Sequence, residues 1–198
     1  MQQKIPKPVI ELKFSSHFEL FIAVLLSARS RDTQVNKITK KLFIQASNPR
    51  DMLNLGRKKI IYHIRSIGLY KKKTEFIIKS CQILVRKFHG NIPSNRRNLE
   101  LLPGIGRKSA NVILNTAFNK KTIGVDTHVL RVSNRLGLSN SNSPKLVEHQ
   151  LITRIPKKFI LNSHIWLVLH GRYVCKSRHP LCKNCSLNDL CSYRIKIS

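Results

Sequence analysis

Four of the five cysteines lie within residues 175 to 191, in the segment CKSRHPLCKNCSLNDLC. They are Cys175, Cys182, Cys185 and Cys191, with the spacing C-x6-C-x2-C-x5-C. Thiols this close together, in a chain without an export signal, are expected to bind metal rather than form disulfides, because the cytosol keeps thiols reduced. Four thiolates suit either a tetrahedral zinc ion or an iron-sulfur cluster, and the uneven spacing favours the cluster.

A second candidate site lies in LPGIGRKSAN, residues 102 to 111. A Pro-Gly-x-Gly turn that ends at a helix N-terminus directs free backbone N–H groups outward, which makes a small anion site. The two glycines permit backbone conformations and close approaches that are closed to other residues. An ordinary turn between helices is an equally good interpretation of these residues alone. The candidate contacts to such an anion, for example a backbone phosphate, are Leu102, Pro103, Gly104, Ile105, Gly106 and Arg107.

Lys108 follows this turn and Asp126 lies downstream in VDTHVLRV, so the two supply a candidate nucleophile and a candidate acid. The helix dipole disfavours a cation in a first turn by about 0.3 to 1 kcal/mol, too little to produce a neutral amine. Desolvation beside a bound partner or a neighbouring base must therefore contribute. A lysine that only contacts phosphate is the simpler alternative. Asp126 suits an N-cap and can also transfer a proton, and His128 is either a hydrogen-bonding support or an ordinary structural histidine.

Helical patterns dominate the segments that must position these residues. Ser16 and Glu19 have capping-box spacing before the apolar run at residues 20–28, which predicts a buried helix. That run is too short to cross a bilayer, which takes about 20 residues. A second apolar stripe predicts a helix that carries Cys81 as a core thiol and ends with Gly90 as its C-cap.

A third amphipathic helix follows LPGIG, with Lys108 off its apolar stripe. The segments NPRD, RSIGLY, GNIPSN and GLSNSNSP predict turns. Because no hairpin signal joins two strand patterns, the predicted fold is all-α.

The 198-residue chain has 37 Lys and Arg residues against 9 Asp and Glu residues, a formal charge of +28. A charge of this sign predicts a nucleic-acid partner, although a general drift toward lysine would also raise it. Lys176 and Arg178 lie on the cysteine loop, where a bound metal would hold them as phosphate contacts. Since the N-terminus shows no signal or transit peptide, we expect a cytoplasmic, nucleoid-associated protein that does not bind a membrane.

The segments LPGIGRKSANVILNTAF, VDTHVLRV and HGRYVCKSRHPLCKNC, together with the last cysteine, resemble the endonuclease III family of helix-hairpin-helix DNA glycosylases and lyases. The resemblance implies a six-helix domain at 10–120 and a cluster domain built from 1–9 and 121–198, with a DNA-binding cleft between them. It implies one [4Fe-4S] cluster on the four cysteines. It also implies a monomer that acts on damaged double-stranded DNA.

The same resemblance implies excision of oxidised pyrimidines from a flipped nucleotide, because the sugar carbon is unreachable inside the stack. Lys108 matches the family's nucleophile, which forms a Schiff base and cuts 3′ to the site by β-elimination, and Asp126 matches its catalytic acid. Lysine at position 108 separates the chain from the related adenine glycosylases, which have serine there.

Two departures from the family pattern affect the expected DNA contacts. The family fills the opened duplex with a leucine, here Leu69, and with a glutamine in LLSAQ, whereas this chain reads LLSARSRD and has Arg29 there. Arg29 therefore either inserts or grips phosphate. The N-terminal segment is also shorter than the family's opening helix, which would leave the cluster domain less covered.

Two other functions fit the sequence. One is a monofunctional glycosylase of the same fold in which Lys108 only contacts phosphate. The other is a non-catalytic, redox-sensing DNA-binding module, which would bind abasic DNA without nicking it. The second gives no reason for Lys108 and Asp126 to match the family pattern.

Overall fold

The computed structural model describes residues 1–3 and 5–193, and this part of the chain is helical with no strand, which confirms the all-α prediction. Two short 3-10 turns, Cys182–Asn184 and Asn188–Leu190, follow the last helix. The α-helices are α1 His17–Ser27, α2 Asp32–Gln45, α3 Pro49–Ile64, α4 Tyr70–Phe88, α5 Arg96–Leu99, α6 Arg107–Phe118, α7 Thr127–Arg135, α8 Pro144–Arg154 and α9 Ile160–Tyr173.

The chain divides into two compact units. The first, which we call the hairpin unit, is Ile10–Phe118 and contains α1 to α6. The second, the cysteine unit, combines Met1–Val9 with Asn119–Ser198 and contains α7 to α9. Each unit has its own hydrophobic core.

Helix α1 lies at the centre of the hairpin unit and is buried from Phe18 to Leu26. Its apolar run can be buried on all sides because α2, α4 and α6 each pack against it. The predicted cap is confirmed, since Ser16 Oγ accepts a hydrogen bond from the Glu19 backbone N–H at 3.1 Å. The return bond differs from a standard capping box, because Glu19 accepts from the N–H of Ser15 rather than of Ser16.

Helix α4 packs its apolar stripe inward, and Cys81 is fully buried there as predicted. The helix ends one residue earlier than expected, because His89 already adopts a left-handed conformation with φ 51°. Gly90 follows with φ 83° and donates from its N–H to the Leu84 carbonyl at 2.9 Å. The His89 N–H donates to the same carbonyl, and this bond, which closes six residues, is the type that satisfies a helix C-terminus in a Schellman motif.

The segment NPRD begins α3 instead of forming a separate turn, so that prediction was wrong. Asn48 Oδ1 accepts from the N–H groups of Arg50 and Asp51, both at 3.0 Å, and Pro49 is the first helical residue. Asparagine and proline are turn formers, but at these two positions they are also a strong helix start. Gly56, with φ 77° and ψ 162°, interrupts the same helix further along.

The cysteine unit buries a core of aliphatic residues from α7, α8 and α9. The first residues of the chain belong to this unit, where the Trp166 indole N–H donates to the Ile5 carbonyl at 2.8 Å. Within the described part of the chain, no helix combines the length and the apolar character that crossing a membrane requires.

Candidate functional site

The LPGIG turn rests directly on helix α4. Gly104 has φ 87°, and a Cβ added there would lie 2.7 Å from Cδ2 of Phe76. Ser80, one helical turn beyond Phe76, donates from its hydroxyl to the Pro103 carbonyl at 3.2 Å. Position 104 therefore requires glycine twice, for the left-handed backbone and for the close approach to α4.

The two apolar residues of the turn anchor it to the core. Leu102 is 1% exposed and Ile105 is 5% exposed. The Ile105 N–H donates a hydrogen bond to the Leu102 carbonyl at 3.0 Å. Contact of these two residues with DNA stays a prediction. Because their side chains are buried, such a contact would be made by their backbone atoms. Gly106, in contrast, is exposed and has open space around it, with no atom within 4 Å of an added Cβ. Gly106 precedes α6 as its N-cap, a position at which glycine is one of the favoured residues.

Lys108 is the second residue of α6 and its side chain is exposed, as expected from its place off the apolar stripe. The helix is opened by the bond from the Ala110 N–H to the Gly106 carbonyl, at 2.9 Å. The first four N–H groups of a helix have no carbonyl partner within that helix, and they attract anions. The arrangement can therefore bind a phosphate at the turn and hold an amine beside it.

Arg29 and Leu69 are brought together in the hairpin unit. Both are exposed, and both hold the left-handed backbone that non-glycine residues rarely adopt, with φ 56° and 61°. A Cβ added at Gly68 would lie 4.0 Å from the Arg29 carbonyl oxygen, so the two loops are neighbours. Strained, exposed residues of this kind are common at ligand-binding positions.

Asp126 is the N-cap of α7, which confirms one of its two predicted roles. Its Oδ1 accepts from the N–H groups of His128 and Val129, both at 2.9 Å. Its Oδ2 lies 3.5 Å from Nδ1 of His128. Gly171 of α9 fixes this end of α7, because a Cβ there would lie 2.9 Å from the His128 Cβ. The proton-transfer role of Asp126 stays a prediction.

All four clustered cysteines line one small pocket in the cysteine unit, together with apolar side chains such as Pro180 and Leu181. None of the four forms a disulfide. Among the described residues, no three His, Cys, Asp or Glu side chains converge closely enough to hold a single metal ion.

Two nitrogen-bearing side chains lie beside sulfur atoms of this pocket. Arg135 Nη1 lies 3.4 Å from Cys175 Sγ, and His170 Nε2 lies 3.7 Å from Cys185 Sγ. Burial lowers the pKa of His170, which favours its neutral ring. Hydrogen-bond donors beside sulfur suit thiolates that bind metal.

The sequence did not indicate the residues that hold the cysteine loop to α7. Arg135 donates to the carbonyls of Lys176 and Ser177, at 2.7 and 3.1 Å, and Arg131 donates to those of Cys175 and Gly171, at 3.1 and 2.8 Å. The two arginines lie four residues apart and so share one face of the helix. The i, i+4 spacing of the two arginines in THVLRVSNR could have indicated that they share a binding face.

The side chains of Lys176 and Arg178 are exposed on this loop. Arg135 donates to the backbone carbonyl of Lys176, and the ammonium group of Lys176 remains exposed to solvent. Phosphate contact by these two residues stays a prediction.

Comparison with known sequences gives a match over residues 22–157 to the model of the HhH-GPD superfamily base excision DNA repair proteins. Endonuclease III of Escherichia coli strain K12 is 48% identical over 197 residues, which cover 100% of this chain and 93% of that protein. Endonuclease III of Haemophilus influenzae is 46% identical with the same coverage of both chains.

Solved structures agree with this match. A trapped covalent intermediate of endonuclease III with DNA superposes with a TM-score of 0.91 at 42% identity, covering 97% of this chain and 91% of that one. A thermostable thymine-DNA glycosylase gives a TM-score of 0.82 at 26% identity, covering 91% of this chain and 85% of that one.

Proposed function

Because the chain belongs to the endonuclease III family, within the HhH-GPD superfamily of base excision DNA repair proteins, we propose that it removes oxidised pyrimidines from damaged double-stranded DNA. Its enzyme class is DNA glycosylase and abasic-site lyase. The observation that carries the proposal is the turn at residues 102–106, which opens α6 and leaves Lys108 exposed in its first turn.

The reaction begins with binding of the duplex backbone at the turn and extrusion of the damaged nucleotide. The Lys108 amine, as the free base, attacks C1′ of the flipped nucleotide, and the bond from C1′ to the base breaks. The pyrimidine leaves with a proton, and the sugar ring opens to an imine on Lys108. Loss of a C2′ proton then expels the 3′ phosphate, and water releases the enzyme from the cut strand. Each bond formed is matched by one broken, and no redox partner is needed.

Asp126 is proposed to serve this reaction as the acid. Oδ1 is engaged by two backbone N–H groups of α7, so the proton-handling atom is Oδ2, on the side of the carboxylate that faces His128. Protonation of the opening sugar ring or stabilisation of developing positive charge are the two tasks that a carboxyl group can perform there.

We assign a [4Fe-4S] cluster to Cys175, Cys182, Cys185 and Cys191. Four free thiols around one pocket fit such a group, because each iron of a cluster takes one thiolate. Bound there, the cluster would cross-link the loop covalently through metal–sulfur bonds. The chain's own contribution is the pair Arg131 and Arg135, which hold that loop against α7.

Cysteine alkylation at about pH 8 tests this ligand set. Burial raises the pKa of Cys81 to about 12, so only about one thiol in 10⁴ is ionised there and the thiol stays unreactive. In protein stripped of metal, mass spectrometry is expected to show four labelled cysteines, with Cys81 unlabelled until the chain is denatured. In the metal-loaded protein the same four are expected to be protected. Equal labelling of the four before and after stripping would contradict the assignment.

The activity itself is tested on matched duplexes that carry an oxidised pyrimidine, an abasic site or no damage. We expect strand cutting of the first two and none of the third. Base release without strand cutting would show a monofunctional glycosylase instead. Binding to abasic duplex with neither product would reject the enzyme and leave a binding module.

A further inference from the structure

One lysine in the KKK run of α4 differs from its neighbours. Lys71 and Lys72 are exposed, whereas Lys73 is only 3% exposed. Its ammonium group donates to the Leu26 carbonyl at 2.8 Å, the Ala28 carbonyl at 2.7 Å and the Ser30 hydroxyl at 3.1 Å. All three donor positions of the ammonium are thus used, and none of these acceptors is a carboxylate.

The acceptors of Lys73 surround Arg29. They lie at the end of α1 and in the loop from Ala28 to Ser30, on both sides of the strained residue. The backbone N–H of the same lysine donates to the Leu69 carbonyl at 2.9 Å. Lys73 therefore bonds to the Arg29 loop through its side chain and to the strained Leu69 through its backbone.

A buried lysine at this position lowers the stability of the folded protein relative to an apolar residue, because its charge loses solvation. Burial lowers the pKa of Lys73 below its usual range, which is the sign that its charged form loses solvation. The carbonyls at the C-terminus of α1 offset part of this cost, because that end of a helix attracts cations. Still, an apolar side chain of similar length would fill the space without desolvating a charge. An apolar residue, however, could not make the three hydrogen bonds to the end of α1 and the Arg29 loop.

We propose that Lys73 is a positioning residue that holds Arg29 beside Leu69, so that the two side chains enter the opened duplex as one preformed wedge. The proposal rests on the proposed function, because the wedge matters only if a nucleotide is flipped. Lys73 itself is buried and has no contact to make with DNA. Its side chain acts by fixing the backbone of the Arg29 loop, which would otherwise have to be ordered when DNA binds. Its backbone bond to Leu69, in contrast, is an ordinary helix bond that any residue with a backbone N–H would make at position 73.

The test compares Lys73→Met with Lys79→Met, an exposed lysine on the same helix, by single-turnover kinetics. On a duplex with a 5-hydroxycytosine, Lys73→Met is expected to slow excision by about 10- to 100-fold, since small misplacements of a binding group have effects of this size. Cutting of an abasic site in single-stranded DNA, which needs no gap filling, should change by less than about threefold. Lys79→Met should change neither rate.

A double-mutant cycle with Arg29→Ala separates positioning from general destabilisation. If Lys73 acts through Arg29, the double variant excises no more slowly than Arg29→Ala alone. Independent, multiplying effects of the two changes would overturn the proposal, as would equal losses on duplex and single-stranded substrates.

If Lys73→Met does not fold, Ser30→Ala removes one acceptor and should slow duplex excision alone, by a smaller factor. Wild-type protein that cuts neither substrate would reject the proposed function. Wild-type activity with an unaffected Lys73→Met and an unaffected Ser30→Ala would reject only this inference.

Discussion

Lys108→Gln is expected to abolish the covalent protein–DNA adduct that borohydride traps, and to lower strand cutting by at least about 10³-fold. A glutamine amide cannot form the imine that borohydride reduces. Duplex binding should fall only slightly, because the turn and the N-terminus of α6 are unchanged and the Lys108 side chain is exposed. The measurements are gel detection of the adduct, single-turnover cutting and a binding titration on one abasic duplex.

Lys108→Arg provides the matched control. It keeps the positive charge but supplies no primary amine, so trapping should be lost while salt-sensitive affinity is preserved. Trapping that survives either substitution would place the nucleophile elsewhere. Loss of binding in Lys108→Gln but not in Lys108→Arg, with cutting retained in the arginine variant, would assign Lys108 to phosphate contact alone.

Alanine at the two glycines of the turn is expected to lower duplex binding in both cases but to lower stability strongly only at position 104. At position 104 a methyl group meets the Phe76 ring at 2.7 Å and the residue must keep φ 87°, so Gly104→Ala should lower the free energy of unfolding by about 1 to 3 kcal/mol. Urea unfolding measures that loss. Binding to duplex should fall as well, because the turn shifts away from α4.

Gly106→Ala should lower the free energy of unfolding by no more than about 1 kcal/mol, since the added methyl meets no protein atom and only the N-cap preference for glycine over alanine is lost. If this open position is where a phosphate approaches, duplex affinity should fall about tenfold or more, roughly 1.4 kcal/mol. Unchanged affinity would mean that the DNA backbone does not come close to Gly106. A large loss of stability would mean that the turn is held differently.

Local rules were enough to predict several helix boundaries and the inward stripes. Ser16 caps α1 as its spacing with Glu19 indicated, and Cys81 lies in the core as its place on an apolar stripe indicated. Both depend on residues within one or two helical turns of each other. Asp126 at the start of α7 was predicted for the same reason.

What the sequence could not indicate depends on contacts between distant segments. Lys73 lies four residues before Ile77, on the buried stripe of α4, but the acceptors of its ammonium group are 43 to 47 residues away and no local pattern indicates them. The different duties of Gly104 and Gly106 likewise depend on Phe76, a residue of another helix. NPRD was misassigned because its residues favour both turns and helix starts, and only the bonds from Asn48 decide between the two.

Because Asp126 caps a helix, its presence in a related sequence does not by itself show that the related protein is still an active enzyme. Its Oδ1 holds the start of α7, so selection for folding alone would retain an oxygen-bearing residue at position 126 after catalysis had ceased. Lys108 is exposed, and the fold would tolerate its replacement. In a decaying gene position 108 should therefore change first, and the lysine there is the better marker of an enzyme still in use.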